Sequence, residues 1–397
     1  MSRELPAVRM DRLADLVVVF AVGIAGYAVV RGGLLRPVRE DSLVIALAFA
    51  VVIAVGEYYR FHIEGTREQA PMSLAAGLGF ALTSLCGSWS LIGYGAATIL
   101  GVTAVAMVLG AMPHLIRGRA IRADGVAARF LGVAVTAVLF REWVVWDGHT
   151  LLELEPLWQE QRWLLACAML LVSAVGLFVH LVCTAIVTAG RERRGLVPAF
   201  VDEARAGAGL SLALNATGVL IALAERPMGV VALPLFLLPL VLAQFALRQY
   251  ASIRETYVQT VRTLSRVTEF AGFTRPGHSD RVAELCVQMG RDLGLSTEDT
   301  RNLQYAALLH DIGQVALRSA IPSGATVMAA PADQRRIADQ GAAIVRKTGI
   351  PTEVADAVAN QATPYRVVRE RGEDLSMYSR IIKVANAYDD FVGGSIS

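Results

Sequence analysis

The chain has 397 residues, of which 54% are hydrophobic and only 18% are charged. A soluble globular protein has roughly a quarter of its residues charged, so this composition excludes an ordinary soluble chain. The formal net charge of +2 gives no basis for a nucleic-acid partner. Apolar runs fill residues 1–247, whereas charges recur densely from Arg248 onward. We therefore predict a transmembrane helical region followed by a separate water-soluble domain.

The N-terminal region, residues 1–247, is predicted to contain about eight membrane-spanning helices. A transmembrane helix needs roughly 20 predominantly apolar residues. The candidate spans are Leu16–Val30, Leu43–Val55, Met72–Leu85, Trp89–Met112, Phe130–Trp146, Trp163–Thr188, Ala208–Ala224 and Gly229–Leu247. Only a short Cys-Gly-Ser-Trp stretch divides the third span from the fourth.

Charged residues between the predicted spans indicate an orientation in the plasma (inner) membrane. The segments that follow the fourth and sixth spans are basic: Arg117, Arg119, Arg122 and Arg129, then Arg191, Arg193 and Arg194. The segment after the fifth span is acidic: Asp147, Glu153, Glu155 and Glu160. Cytoplasmic loops are enriched in Lys and Arg, so eight spans place both termini in the cytoplasm. Three basic residues fall on the predicted outer side instead: Arg31, Arg36 and Arg39.

Tryptophan supplies an independent indication of the same orientation, because its ring prefers the level of the lipid headgroups. All five tryptophans fall at or near the predicted outer ends of the spans: Trp89, Trp143, Trp146, Trp158 and Trp163. We expect the lipid bilayer to be the partner of this region.

Polar residues within the predicted spans do not identify a transport pathway. His180 and Asn215 lie inside spans, and Glu142 and Glu225 lie near span ends. Isolated polar residues of this kind are typical of contacts between helices. A sensing or anchoring role is therefore preferred, and a transporter with a cytoplasmic regulatory domain is the alternative.

Residues 248–271 are predicted to form a helix that connects the two regions. Its apolar residues recur at three- and four-residue spacing: Tyr250, Ile253, Tyr257, Val261, Leu264 and Val267. This pattern predicts one apolar face on a continuous helix. The face either packs on its own domain or forms the seam of a parallel homodimer.

The C-terminal domain, residues 272–397, is predicted to be all-helical. Ser296, followed by Asp299, has the spacing of a capping box that opens a helix ending at Gly313. His310 lies on the inner face of this helix, next to Asp311. Imidazole and carboxylate groups are ligands for first-row metals, although a histidine that caps a helix end has the same local pattern.

A series of motifs carries a resemblance to a known family. They are Pro276-Gly-His-Ser-Asp-Arg-Val-Ala, Leu293-Gly-Leu-Ser, Ala306-Ala-Leu-Leu-His-Asp-Ile-Gly, Ile321-Pro322 and Arg380-Ile-Ile-Lys-Val-Ala-Asn-Ala-Tyr-Asp. In order and spacing this series resembles the HD-GYP branch of the HD phosphohydrolase superfamily. Active members are all-α, hold two or three iron or manganese ions, and hydrolyse cyclic di-GMP. The resemblance implies that His278, His310 and Asp311 are metal ligands and that His310 and Asp311 serve catalysis.

The departures from the family pattern all remove metal or phosphate ligands. The family lysine that contacts phosphate is Gln314 here, and no histidine follows His310. Asp339 is the one acidic residue where the next helix carries a family histidine, and Asn360-Gln361 replaces a histidine pair. The late ligand aspartate is Asn386, which leaves Asp389 as the nearest carboxylate. The Gly-Tyr-Pro loop is absent between Pro364 and Ser376.

These departures predict a membrane-anchored, HD-GYP-like signalling protein whose domain is catalytically depleted. It would hold at most one divalent metal, Fe, Mn or Zn, with Asp389 as a fourth candidate ligand. Its cytoplasmic partner would be a cyclic dinucleotide, another nucleotide or a protein. The enzyme alternative is a metal-dependent phosphohydrolase or cyclic di-GMP phosphodiesterase, with Gln314 as a substitute phosphate contact.

Overall fold

The computed structural model describes residues 7–32, 40–63, 67–86, 90–91, 95–118, 121–158, 160–192, 195–317, 321, 325–326, 329–371 and 375–392. These residues form an all-α fold, as the sequence predicts, with only three short ribbons of strand. The chain divides into two units, Met1–Ala251 and Ser252–Ser397. Trp89, Arg36, Arg39, Arg119, Arg193, Arg194 and Pro322, which are used above, lie outside the described residues.

The first unit is built from apolar helices. They are α1 (Ala7–Gly32), α2 (Glu40–Tyr58), α3 (Pro71–Leu82), α4 (Ala96–Ile116), α5 (Ala123–Arg141), α6 (Leu151–Leu154), α7 (Arg162–Glu192), α8 (Leu196–Met228) and α9 (Ala232–Phe270). The antiparallel ribbons pair β1 (Phe61–Ile63) with β2 (Arg67–Gln69), β3 (Leu85–Cys86) with β4 (Ser90–Leu91), and β5 (Val144–Trp146) with β6 (His149–Thr150). Each predicted span overlaps a different helix, and α6 is the helix that no span predicts.

Several predicted spans extend past the ends of their helices. Leu85 belongs to β3, Val144–Trp146 forms β5, and Gly229–Val231 is a 3₁₀ turn. The fourth span was predicted to begin at Trp89, but its helix begins at Ala96. Apolar composition alone does not separate a short strand from the end of a helix, which explains these errors.

Among the described residues, five helical segments are long and apolar enough to cross a membrane: Arg12–Gly32, Ala96–Ile116, Ala123–Arg141, Arg162–Arg191 and Leu196–Phe270. The last of these contains both α8 and α9, and two further apolar helices are shorter, Leu43–Tyr58 and Pro71–Leu82. Large apolar side chains such as Val19 and Phe20 on α1 are more than half exposed, which suits contact with lipid. These features are those of a membrane protein, whereas the eight spans and their orientation stay predictions.

The interior of the first unit holds a charge cluster that the sequence patterns do not indicate. Arg129 of α5 donates hydrogen bonds to both carboxylate oxygens of Glu57 at 2.9 and 2.8 Å, and Ser73 donates a third at 2.9 Å. Arg60 forms an ion pair with Glu68 at 2.9 Å and a longer one with Glu57 at 3.3 Å. Arg129 was counted above as a loop cation that marks the cytoplasmic side. It is instead a buried, paired residue within a helix, so it adds nothing to that assignment.

In the part of the second unit that the structure describes, six further helices follow the C-terminal part of α9. They are α10 (His278–Asp292), α11 (Thr297–Leu309), α12 (Pro331–Arg346), α13 (Thr352–Asn360), α14 (Tyr365–Arg371) and α15 (Met377–Val392). Helix α10 packs against α11 and α15, α13 packs against α11 and α12, and a 3₁₀ turn, Ile312–Ala316, packs against α12. One apolar core joins these helices and buries side chains such as Val282, Leu303 and Ile382.

The connecting helix is the C-terminal part of α9, and its apolar face is divided between two environments. Val261 is buried in the core of the second unit, and Tyr257 and Leu264 pack against the same core. Tyr250 and Ile253 are about 60% exposed. The middle of the apolar face, from Tyr257 to Leu264, therefore packs on the second unit. A homodimer seam formed by the exposed part of the face stays a prediction.

Helix α11 begins as predicted but ends earlier. The side chain of Ser296 accepts a hydrogen bond from the backbone N–H of Asp299, as an N-cap does. The predicted end at Gly313 is wrong, because α11 ends at Leu309 and a 3₁₀ turn follows. Within this turn Gly313 lies so close to α12 that a Cβ atom there would be 1.9 Å from the carbonyl oxygen of Ile337. This close contact requires glycine and brings Asp311 into the core.

Candidate metal site

Three predicted ligands meet at the junction of α10 and α11. His278 is the first residue of α10, and His310 and Asp311 directly follow the end of α11. The two Nε2 atoms are 3.4 Å apart, and the Oδ2 atom of Asp311 lies 3.5 Å from Nε2 of His278 and 3.4 Å from Nε2 of His310. All three residues are at most 3% exposed. The structure therefore brings His278, His310 and Asp311 together around one point.

Hydrogen bonds on the opposite side of each imidazole orient the two rings. The Nδ1–H of His310 donates to the carbonyl oxygen of Ala307 at 2.7 Å, one turn earlier in α11. The Nδ1–H of His278 donates to Oδ2 of Asp389 at 2.7 Å. Both Nε2 atoms are thereby directed toward Asp311. This arrangement, with Nδ1 held by an oxygen acceptor, is typical of histidines that bind metals through Nε2.

Asp389, on α15, lies on the outer side of His278 and away from the point where the three ligands meet. Besides accepting from His278, its carboxylate accepts two hydrogen bonds from Arg281, at 2.7 and 2.9 Å. Arg281 also donates to the carbonyl oxygen of Pro276 at 3.0 Å, which holds the turn before α10. The geometry thus gives Asp389 the role of orienting His278. Its predicted role as a fourth ligand would require these hydrogen bonds to break.

The charges of the cluster shift its pKa values strongly. Burial lowers the pKa of His278, but its contacts with Asp311 and Asp389 outweigh that effect and raise the pKa to about 10. Burial raises the pKa of Asp311, but the nearby His310 and His278 outweigh it and hold that pKa well below its usual range. Metal binding through Nε2 of His278 would require that nitrogen to be free of a proton.

The residues of the cluster fit a divalent cation. One atom from each of His278, His310 and Asp311 lies within 4.8 Å of the others. Neither carboxylate oxygen of Asp311 accepts a hydrogen bond of normal geometry from any described residue, although the side chain is buried. Its contacts with the two imidazoles are 3.4–3.5 Å long, so a cation between the three side chains would give this buried carboxylate a more direct positive partner. Two imidazoles and one carboxylate are also the donor types that Fe, Mn and Zn accept.

A cleft lies directly beside Asp311. It is lined by Asp311, Thr326, Gln334, Ile337, Gln361, Ala362, Lys383, Asn386 and Ala387, and its volume is about 90 Å³. Asn386 donates from Nδ2 to Oγ1 of Thr326 at 3.0 Å. Gln361 donates from Nε2 to the carbonyl oxygen of His310. Both amides thus lie at the site without adding negative charge.

Two other sequence candidates lie apart from this cleft lining. Gln314 is fully buried in the 3₁₀ turn after Asp311, and its predicted role as a phosphate contact stays a prediction. Asp339 is exposed on α12.

Lys383 and Arg281 were not singled out from the sequence, although both lie within the recognised motifs. The sequence feature that could have drawn attention to Lys383 is that it is one of only two lysines in the chain.

Comparison with known proteins indicates which family the second unit resembles. Residues 275–390 match the family model of the HD domain, and this range contains the three ligands, Arg281 and Asp389. No curated protein and no solved structure matches the chain. HD domains typically bind divalent metals, in agreement with the buried group of two histidines and one aspartate. Residues 275–390 therefore form an HD domain, a domain of the metal-dependent phosphohydrolase type.

Proposed function

We propose that this chain is a membrane-anchored signalling protein of the HD-GYP branch that has lost hydrolysis of cyclic di-GMP. Its HD domain would hold one divalent metal and bind a phosphorylated ligand beside it. The observation that carries the proposal is the buried cluster of His278, His310 and Asp311, which offers three ligand atoms around one point. Three ligands support one metal, whereas the active family members use two or three.

Amides at the remaining ligand positions support the loss of the second metal. Asn386 and Gln361 both lie at the cleft, and each already donates a hydrogen bond to a protein oxygen. Their side chains carry no charge to offset a second cation, unlike the carboxylate and histidine ligands that the resemblance predicts there. The bidentate pairing of Asp389 with Arg281 further favours a single metal, because it engages the nearest additional carboxylate.

The first unit supports an anchoring or sensing role. Its long apolar helices suit a bilayer, and the proposed location is the plasma membrane with both termini in the cytoplasm. The HD domain would then face the cytoplasm, where a nucleotide or a protein would be its partner. Homodimer formation through the exposed Tyr250 and Ile253 is part of the same proposal.

Hydrolysis of a different phosphate ester is a second candidate function. It is favoured by the cleft that opens beside Asp311, because three protein ligands leave coordination positions for water and substrate, as in catalytic zinc sites. A divalent metal at this position would polarise a phosphoryl oxygen and lower the pKa of a bound water. The protein's own contribution would be to orient the histidines and to exclude bulk solvent from the buried ligands.

The test compares metal content and turnover in the full-length chain, purified in detergent after growth with iron, manganese or zinc. We expect about one metal in the wild type and in His149→Ala, an exposed histidine outside the HD domain, and none in His310→Ala. We also expect no turnover of cyclic di-GMP. Turnover that His310→Ala abolishes would overturn the proposed loss of activity. Turnover restricted to p-nitrophenyl phosphate would support the second candidate, and a metal-free wild type would refute both.

A further inference from the structure

The cleft beside Asp311 has an uneven distribution of charge. Asp311 lies at its metal-binding side, and Lys383 is the one cation that lines it among the described residues. The other polar lining groups are neutral: Thr326, Gln334, Gln361 and Asn386. The proposed metal would bind at Asp311, on one side of the cleft, and the ammonium group of Lys383 also lines the cleft. Such a cleft suits an anion that contacts both the metal and the ammonium group.

Helix α15 explains why these groups lie together. Lys383, Asn386 and Asp389 are spaced by three residues, so they lie along one face of the helix. Asp389 holds His278, whereas Asn386 and Lys383 line the cleft. The same helix face thus orients one metal ligand and supplies the cation of the cleft.

The ammonium group of Lys383 is fixed by backbone oxygens. Its Nζ donates to the carbonyl oxygen of Thr363 at 2.8 Å and to that of Ala362 at 3.4 Å. An ammonium group has three N–H donors, so one donor remains after these two contacts. Burial disfavours the charged form of Lys383 and therefore lowers its pKa. An anion beside the group would offset this effect.

The size of the cleft limits the ligand. The cleft volume of about 90 Å³ is several times the roughly 10–15 Å³ that one water needs, so the cleft admits a small polar group. A phosphoryl group is of this size. Pockets that enclose whole drug-sized ligands measure roughly 300–1,000 Å³, so a cyclic dinucleotide cannot be enclosed here.

We propose that Lys383 is the phosphate-recognition residue of this site and that the cleft takes one terminal phosphoryl group of a phosphate monoester, such as a nucleoside monophosphate. This inference rests on the proposed one-metal site and narrows its ligand class. A monoester presents a dianionic group that contacts a metal at Asp311 and Lys383 at the same time. A cyclic phosphodiester has less charge on each phosphate and no terminal group to insert.

The experiment measures ligand binding rather than turnover, on the full-length chain in detergent with zinc bound. Calorimetric titrations with inorganic phosphate, AMP and cyclic di-GMP are compared for the wild type, Lys383→Met and Lys347→Met. Lys347 is the other lysine of the chain and is exposed, so it provides a matched control. We expect Lys383→Met to weaken the binding of phosphate and AMP about 10- to 100-fold, as loss of a charge-assisted hydrogen bond does. Lys347→Met should bind both as the wild type does.

A second readout does not depend on the variant. Reductive ¹³C-methylation keeps the charge of lysine and labels only Lys347, Lys383 and the N-terminus, which gives few resonances. Phosphate should shift the Lys383 resonance and leave that of Lys347 unchanged. An unchanged Lys383 resonance in the presence of saturating phosphate would overturn the inference.

The outcomes separate this inference from the proposed function. If the wild type binds zinc but neither phosphate nor AMP, the inference fails and the metal site stands. If Lys383→Met retains both zinc and wild-type affinity for phosphate, Lys383 is not the recognition residue. Tighter binding of cyclic di-GMP than of AMP would also contradict the inference. If the wild type binds no zinc, the proposed function itself fails.

Discussion

Replacement of Asp389 by asparagine tests whether the hydrogen bonds around His278 prepare it to bind a metal. The variant keeps the shape of the side chain but removes its charge and one acceptor oxygen. In the protein, one oxygen of Asp389 accepts from Nε of Arg281, and the other accepts from Nη2 of Arg281 and from Nδ1 of His278. An amide cannot satisfy all three donors, because one of its two positions is itself a donor.

Either orientation of the new amide disturbs the site. If its NH₂ group faces His278, the Nδ1 atom must accept, and the ring proton moves to Nε2, where the metal binds. If its NH₂ group faces Arg281, two donors meet at the present distance of 2.7 Å. Loss of such an outer partner weakens metal binding roughly 10- to 100-fold. This factor corresponds to about 1.4–2.7 kcal/mol of binding free energy.

The measurement is the dissociation constant for zinc, obtained by competition with a chelating dye on the full-length chain at neutral pH. Asp339→Asn provides the control, because it is the same substitution at an exposed position on α12. We expect wild-type affinity in the control and a loss of at least tenfold in Asp389→Asn. Affinity within twofold of the wild type in Asp389→Asn would refute the assigned role of Asp389.

Three further predictions concern the stability of the two units, each measured by thermal or denaturant unfolding in detergent. Gly313→Ala should destabilise the HD domain by about 2–3 kcal/mol and reduce metal binding, because its Cβ would overlap the backbone of α12; an unchanged melting temperature would contradict this. Arg129→Leu should cost about 3 kcal/mol because buried Glu57 loses both hydrogen bonds from the guanidinium group and keeps only Ser73 and the longer contact with Arg60, and the double variant with Glu57→Leu should recover most of the loss; additive losses would contradict it. Tyr378 donates a hydrogen bond to Asp299 and, together with Ser296, lowers the pKa of that carboxyl group. The contact therefore stabilises the fold at pH values above the unfolded pKa of about 3.9. This stabilisation is lost as the pH falls through the lowered pKa of the folded state. Tyr378→Phe should therefore cost about 1 kcal/mol at neutral pH and less at acidic pH as Asp299 becomes protonated, and a loss of equal size throughout would contradict it.

The sequence predicted the features that depend on local pattern. The HD domain helices, the N-cap at Ser296 and the meeting of His278 with His310 and Asp311 all follow from short motifs. Side-chain spacing within a helix is fixed by its geometry, and the family motifs give the pairing of distant segments. Each predicted span overlaps a helix because a long apolar run is also a local pattern, and such a run forms a helix where water is absent.

The features that the sequence did not predict depend on contacts between distant segments. Asp389 was expected as a ligand, but the packing of α15 against α10 places it behind His278, where Arg281 holds it. Arg129 was read as a loop charge because its partner, Glu57, lies 72 positions away in the chain. The close contact of the turn at Gly313 with α12, after the early end of α11, likewise joins segments that are distant in the sequence.

The metal stoichiometry of the purified full-length chain tests the central claim most directly. Elemental mass spectrometry against protein concentration should give about one divalent metal per chain in the wild type and in His149→Ala. His278→Ala, His310→Ala and Asp311→Asn should each reduce it to near zero, since each removes an imidazole or the negative charge of the carboxylate from the cluster. Two metals per chain, or one metal that survives loss of His310, would contradict the account.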